Sequence, residues 1–85
     1  MLTNPSDLPG YILAKMQRVI AETGYRVAIE EAEILEFDSE VRYASRDSPI
    51  HHIRYSRGFR PHKEHFILSA LAKIERFFAA PVGQR

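Results

Sequence analysis

Cysteine and tryptophan are both absent from this 85-residue chain. Without cysteine, neither a disulfide framework nor a thiolate zinc site can supply stability, and the redox compartment stays open, with the cytoplasm the expected location. Long apolar runs are missing as well, and Met1-Leu2-Thr3-Asn4 carries no basic stretch ahead of an apolar core. Neither a membrane span nor a secretory signal is therefore expected, and no membrane partner. Net charge is scarce: the formal value is +1, which gives no global pull toward nucleic acid. No internal repeat and no low-complexity segment is present.

What is present is an ordinary globular composition, 45% hydrophobic and 27% charged, too apolar for a disordered chain. Residues 1–85 are read as one small domain. A chain of this length buries only about 60–65% of the surface its unfolded form exposes, so its stability should be modest. The charge that exists is segregated: Glu30, Glu31, Glu33, Glu36, Asp38 and Glu40 fall within eleven residues, and Arg54, Arg57, Arg60 and Lys63 follow with no acid among them. Such polarity suits either an acidic partner or pairing within the fold.

The apolar spacing predicts the elements. Ile12, Leu13, Met16, Val19 and Ile20 recur at helical intervals after the capping side chains of Asn4-Pro5-Ser6-Asp7, and Gly24 suits the left-handed position past a helix end. Tyr25, Val27 and Ile29 alternate as in a strand, as do Val41 and Tyr43, and Ile50-His51-His52-Ile53-Arg54-Tyr55 reads as a third strand after a hairpin-like turn at Arg46-Asp47-Ser48-Pro49. Residues 30–37 combine helix propensity with strand-like flanks and are taken as a connection with some extended character. Gly58 and Pro61 break the third strand. A last helix then begins near His62, with Phe66, Ile67, Ala70, Leu71, Ile74, Phe77 and Phe78 on one stripe, and ends before Pro81; the tail 81–85 should fray. The order helix-strand-strand-strand-helix predicts an α+β domain with two helices on one face of a small, mainly antiparallel sheet.

That order, with Ile50–Tyr55 as an edge strand and the helix from His65 onward, resembles the core of a minimal zincin-like metallopeptidase domain over residues 10–81. In that family the second helix carries His-Glu-x-x-His, two zinc ligands one turn apart and a glutamate that activates water. In register with the apolar positions, Ser69-Ala70-Leu71-Ala72-Lys73 falls on the motif. A serine hydroxyl is a poor zinc ligand, an ammonium repels the dication and alanine takes no proton, so the resemblance implies a pseudoenzyme, a scaffold whose catalytic positions Ser69, Ala70 and Lys73 are degenerate.

Three further readings rest on the residues. His51, His62 and His65 sit with His52 inside fifteen residues, and imidazole is a common metal ligand, so a zinc site and a metal-dependent hydrolase follow if they converge; solvated or core-edge histidines are the ordinary alternative. Arg54, Tyr55, Arg57, Arg60 and Lys63 interleave cations with aromatics, a pattern that can grip phosphates and stack bases, or that can pair with the acidic middle. Ser69 and Lys73, one turn apart, admit a lysine-activated serine, against a plain solvated face. The expected function is a non-catalytic zincin-like binding or regulatory domain without cofactor, its partner a protein or a second copy. The alternatives are a nucleic-acid-binding module using residues 54–63 and a metal-binding hydrolase using the histidines.

Overall fold

A computed structural model of the chain describes residues 2–79; the tail 81–85, expected to fray, lies outside the described residues. A single 3-10 turn, Pro5–Asp7, precedes α1 (Gly10–Thr23). The capping side chain anticipated ahead of α1 serves this turn instead: Asn4 Oδ1 accepts from Ser6 N–H at 3.1 Å, while α1 starts after Pro9 with no side-chain cap. Gly24 ends the helix at φ 78°, its N–H donating to Ile20 O, the conformation in which glycine carries no Cβ penalty.

Three strands follow, β1 (Arg26–Glu31), β2 (Ser39–Arg42) and β3 (Ile50–Tyr55), then a 3-10 segment (Arg57–His62) and α2 (Lys63–Ala79). The element order and the α+β class agree with the sequence reading. The sheet, expected to be mainly antiparallel, is mixed. Its spatial order is β1-β3-β2, which puts Ile50–Tyr55, expected as an edge strand, at the centre of the sheet; β1 runs parallel to β3 from Arg26↔Ile50 to Glu31↔Tyr55 and β2 antiparallel to β3 from Ser39↔Tyr55 to Arg42↔His52.

The reason is the connection 32–38, which passes over the end of β3 rather than closing a hairpin. Ala32 N–H donates to Tyr55 O at 2.8 Å and Ser56 N–H donates to Asp38 O at 3.1 Å, so the two ends of the loop are stitched to adjacent residues, the last of β3 and the one that follows it. The hairpin forms only between β2 and β3, where Ser45 and Ser48 exchange backbone hydrogen bonds of 2.8 and 3.2 Å.

Alternation then sorts the faces. His51, Ile53 and Tyr55 of β3 are buried and, with Val27, Ile29 and Val41 in register beside them, form the floor on which both helices lie. Ile12, Met16 and Val19 of α1 and Ile67, Ala70, Leu71 and Ile74 of α2 complete the core. The helices run in the same sense: Tyr11 OH donates to Glu64 Oε1 at 2.8 Å near their starts, and Lys15 pairs with Glu75 further along. The apolar stripe expected on α2 holds except at Phe77, which is 48% exposed and stacks on Tyr43 with centroids 4.5 Å apart. No helix among the described residues is long and apolar enough to cross a membrane.

Candidate functional site

The loop from Ala32 to Asp38 is built by local hydrogen bonds, Ile34 N–H to Ala32 O at 3.0 Å and Asp38 N–H to Leu35 O at 2.9 Å. These curl the chain so that two large apolar side chains end outside: Leu35 is 79% exposed and Phe37 69%. Phe37 adopts φ 62°, a left-handed conformation that is an outlier for a bulky residue. Gly58 makes room beneath it, since a Cβ there would lie 3.0 Å from both Phe37 N and Glu36 Cγ. The Phe37 ring meets Phe59 edge-on at 6.4 Å, Phe59 meets Phe66 at 5.5 Å, and Phe66 meets Tyr55 at 6.2 Å. An aromatic relay thus ties an exposed ring to the core.

Between this loop and the 3-10 segment lies an open groove of about 700 Å³, lined by Glu31, Glu33, Ile34, Ser56, Arg57 and Arg60 among others. Arg60 closes on Glu31 in a fork, Nε to Oε1 at 2.8 Å and Nη2 to Oε2 at 2.5 Å. Hydrogen bonding from Arg60 holds the Glu31 carboxyl below its ordinary value, and the same bond raises Arg60. Ser56 is 1% exposed, and its Oγ has no hydrogen-bond partner.

The remaining basic residues are placed quite differently. Arg54, on the sheet face away from the helices, lies between two strands' carboxylates: its Nε reaches Glu30 Oε1 at 3.2 Å and its Nη1 pairs with Glu40. Arg42 Nη2 adds a 3.3 Å contact to Glu40, and His52 Nε2 lies 3.4 Å from Glu30 Oε1, without hydrogen-bond geometry. The acidic middle and the basic segment therefore meet as a charge ladder across the open face. Of the residues read as a phosphate grip, Arg54 and Arg60 are occupied by carboxylates, Tyr55 is 2% exposed in the core, Arg57 is exposed and Lys63 is half-buried at the start of α2.

The histidines do not converge. His51 is fully buried and both of its ring nitrogens are engaged: Ala44 N–H donates to Nδ1 at 2.9 Å, and Nε2 lies 2.9 Å from Thr23 Oγ1. Because Nδ1 accepts, the proton belongs on Nε2, and Thr23 Oγ1 passes its own hydrogen to Val19 O at 2.8 Å. Burial lowers the His51 pKa, and Tyr25 and Phe78 flank the ring edge-on at 5.7 and 5.1 Å. His62 and His65 are exposed near the start of α2. No group of three or more His, Cys, Asp or Glu able to hold a metal ion occurs among the described residues.

At the motif positions Ser69 is half-buried, Lys73 exposed and Ala70 1% exposed within the core. Leu35, Phe37 and Ser56 are site residues that the sequence reading missed. Leu35 and Phe37 lie in an acid-rich stretch and carry no period that separates an outward loop from an extended strand. Compared with known proteins, the chain matches no family model, no curated protein and no solved structure.

Proposed function

We propose that this chain is a non-catalytic binding domain whose partner is a protein segment that covers Leu35 and Phe37 and enters the groove behind them. The observation that carries the reading is Phe37: a bulky residue held at φ 62° while 69% exposed. Backbone outliers of this kind cost about 1–3 kcal/mol and persist where the surroundings impose them, commonly at functional sites. Two large apolar side chains on one rigid loop tip, rimmed by Glu33, Glu36 and Arg57, have the make-up of an interface, with an apolar centre and a charged rim.

The groove chemistry supports recognition over reaction. Ser56 Oγ has no base beside it, and Glu31 and Arg60 neutralise each other. On the zincin-like reading the same conclusion follows from the motif positions, where hydroxyl, methyl and ammonium groups replace two imidazoles and a carboxylate. Arg54 and Arg60 already face carboxylates and Tyr55 lies in the core, which favours a protein partner over a phosphate backbone.

The test compares the wild-type chain with L35S/F37N as bait. Asparagine tolerates the left-handed conformation, so the double variant keeps the loop and loses only its apolar surface. Proteins retained by wild type, then purified and shown by calorimetry to bind the double variant at least tenfold more weakly, support the reading; partners bound equally by both overturn it. Steep salt-dependent binding of a mixed-sequence oligonucleotide would favour the nucleic-acid alternative instead.

A further inference from the structure

The two edges of the sheet are treated differently. The outer edge of β1 is covered by the chain's own start, through a bridge between Leu2 and Glu30 and a 2.8 Å hydrogen bond from Thr3 N–H to Ile29 O. The outer edge of β2 has no strand beside it among the described residues. We propose that a second copy of this chain covers it: two β2 strands pair antiparallel about a two-fold axis through Val41, joining two three-stranded sheets into one of six.

The backbone is set for this pairing. The hydrogen bond from Ser56 N–H to Asp38 O makes residues 38 and 56 a hydrogen-bonded pair that continues the β2–β3 register by one step. Alternation then turns the N–H and C=O of Glu40 and Arg42 toward β3, and those of Val41 and Tyr43 outward, with Ser39 N–H, also on the outer side, held by Asp38 Oδ1 at 2.8 Å. Two copies centred on Val41 would exchange both Val41 bonds, with each Ser39 opposite the other copy's Tyr43.

Side chains choose this register over its neighbours. Directly opposed residues must point to the same face, so the pairing can slide only in steps that keep face with face. One step either way sets Glu40 against Glu40 or Arg42 against Arg42. Centred on Val41, each Glu40 meets Arg42 of the second copy, twice, at non-hydrogen-bonded positions where side chains come closest. Arg42 is suited to reach across, with its side chain 64% exposed and a single 3.3 Å contact to Glu40 of its own chain.

An edge guarded by like charges repels a copy of itself; β2 alternates acid and base and so attracts one. On the helix side, half-buried Val41 meets its counterpart, and the exposed Tyr43–Phe77 stack flanks the same seam. A small domain gains most from such an extension, because each copy buries apolar surface that it lacks the core to bury alone.

Sedimentation velocity of the intact chain from micromolar to millimolar concentration tests the proposal. The expected result is a shift from the 9.8 kDa monomer toward a species of twice that mass, weakening as salt rises. R42E turns both cross-seam pairs repulsive and should weaken association by about ten- to hundredfold. V41P should fold, since that N–H points outward, yet remain monomeric. Mixing R42E with E40R recreates both Glu–Arg pairs, so two chains that are monomeric apart should form a heterodimer. L35S/F37N, on the separate loop surface, should dimerise as wild type does. A monomer at millimolar concentration, or a dimer that survives both R42E and V41P, overturns the proposal, and V41P decides it should E40R fail to fold.

Discussion

His51 shows how much one side chain can join. It ties β3 to the end of α1 through Thr23 and to the β2–β3 turn through Ala44, and it does so as the neutral ring. His51→Ala should cost about 3 kcal/mol in urea unfolding, because it opens a cavity and leaves a buried N–H without an acceptor. Its pH dependence has a definite sign. Burial lowers the folded pKa below the ordinary 6.5, so below that value the unfolded chain binds the extra proton first. Stability from this residue is complete above about pH 6.5 and declines as pH falls from there to the folded value. An NMR titration of the ring should find its midpoint below 6.5, and a midpoint at or above that value would contradict the burial account. At Phe37, substitution by glycine should leave stability unchanged or raise it by about 1 kcal/mol despite the lost ring contact, since glycine adopts φ 62° freely. Gly58→Ala should destabilise by about 1–3 kcal/mol, its methyl pressing on the backbone of Phe37. None of these three roles was legible in the sequence. A histidine in an alternating strand, a phenylalanine among acids and a glycine between an arginine and a phenylalanine show their function only beside the residues that the fold brings to them.

At the scale of elements, the periodic segments were the most readable. Ile50–Tyr55 is the predicted third strand end to end, and α1 stops where Gly24 said it would. A 3.6-residue or two-residue apolar period reports burial directly, and burial is what these segments share. Residues 30–37 were opaque because propensity and pattern disagreed; the structure assigns Glu30 and Glu31 to β1 and the rest to the crossing loop. Beside the α1–α2 interface Ile74 is fully buried in the core, and Ile74→Ala should cost about 3 kcal/mol by urea titration. The Lys15–Glu75 pair fastens the same interface, and hydrogen bonding from Lys15 holds Glu75 below its ordinary 4.5. That contribution is complete above about pH 4.5 and is lost as pH falls through the lower folded value. Glu75→Gln should therefore flatten the acid limb of the stability profile.

For the whole molecule, the segregated charge of the sequence resolves in part into pairing within the fold. Glu30, Glu31 and Glu40 hold Arg54 and Arg60, so half of each charged run is neutralised within the fold, while Glu33, Glu36 and Arg57 stay exposed around the loop. Stoichiometric zinc should not raise the melting temperature, because His51 would have to abandon two buried hydrogen bonds to ligate; a zinc-dependent rise would revive the metal reading. The α+β class, the element order and the apolar faces of both helices follow from composition and period alone, since each amphipathic segment must bury its own stripe. The strand order and the parallel β1–β3 pair, the closed histidine and the exposed loop tip required the tertiary structure. A period tells a residue which face to turn inward, but not which neighbour it will meet. Only the crossing of residues 32–38 over β3 decided that Phe37 would face solvent and that β2 would be left as the open edge.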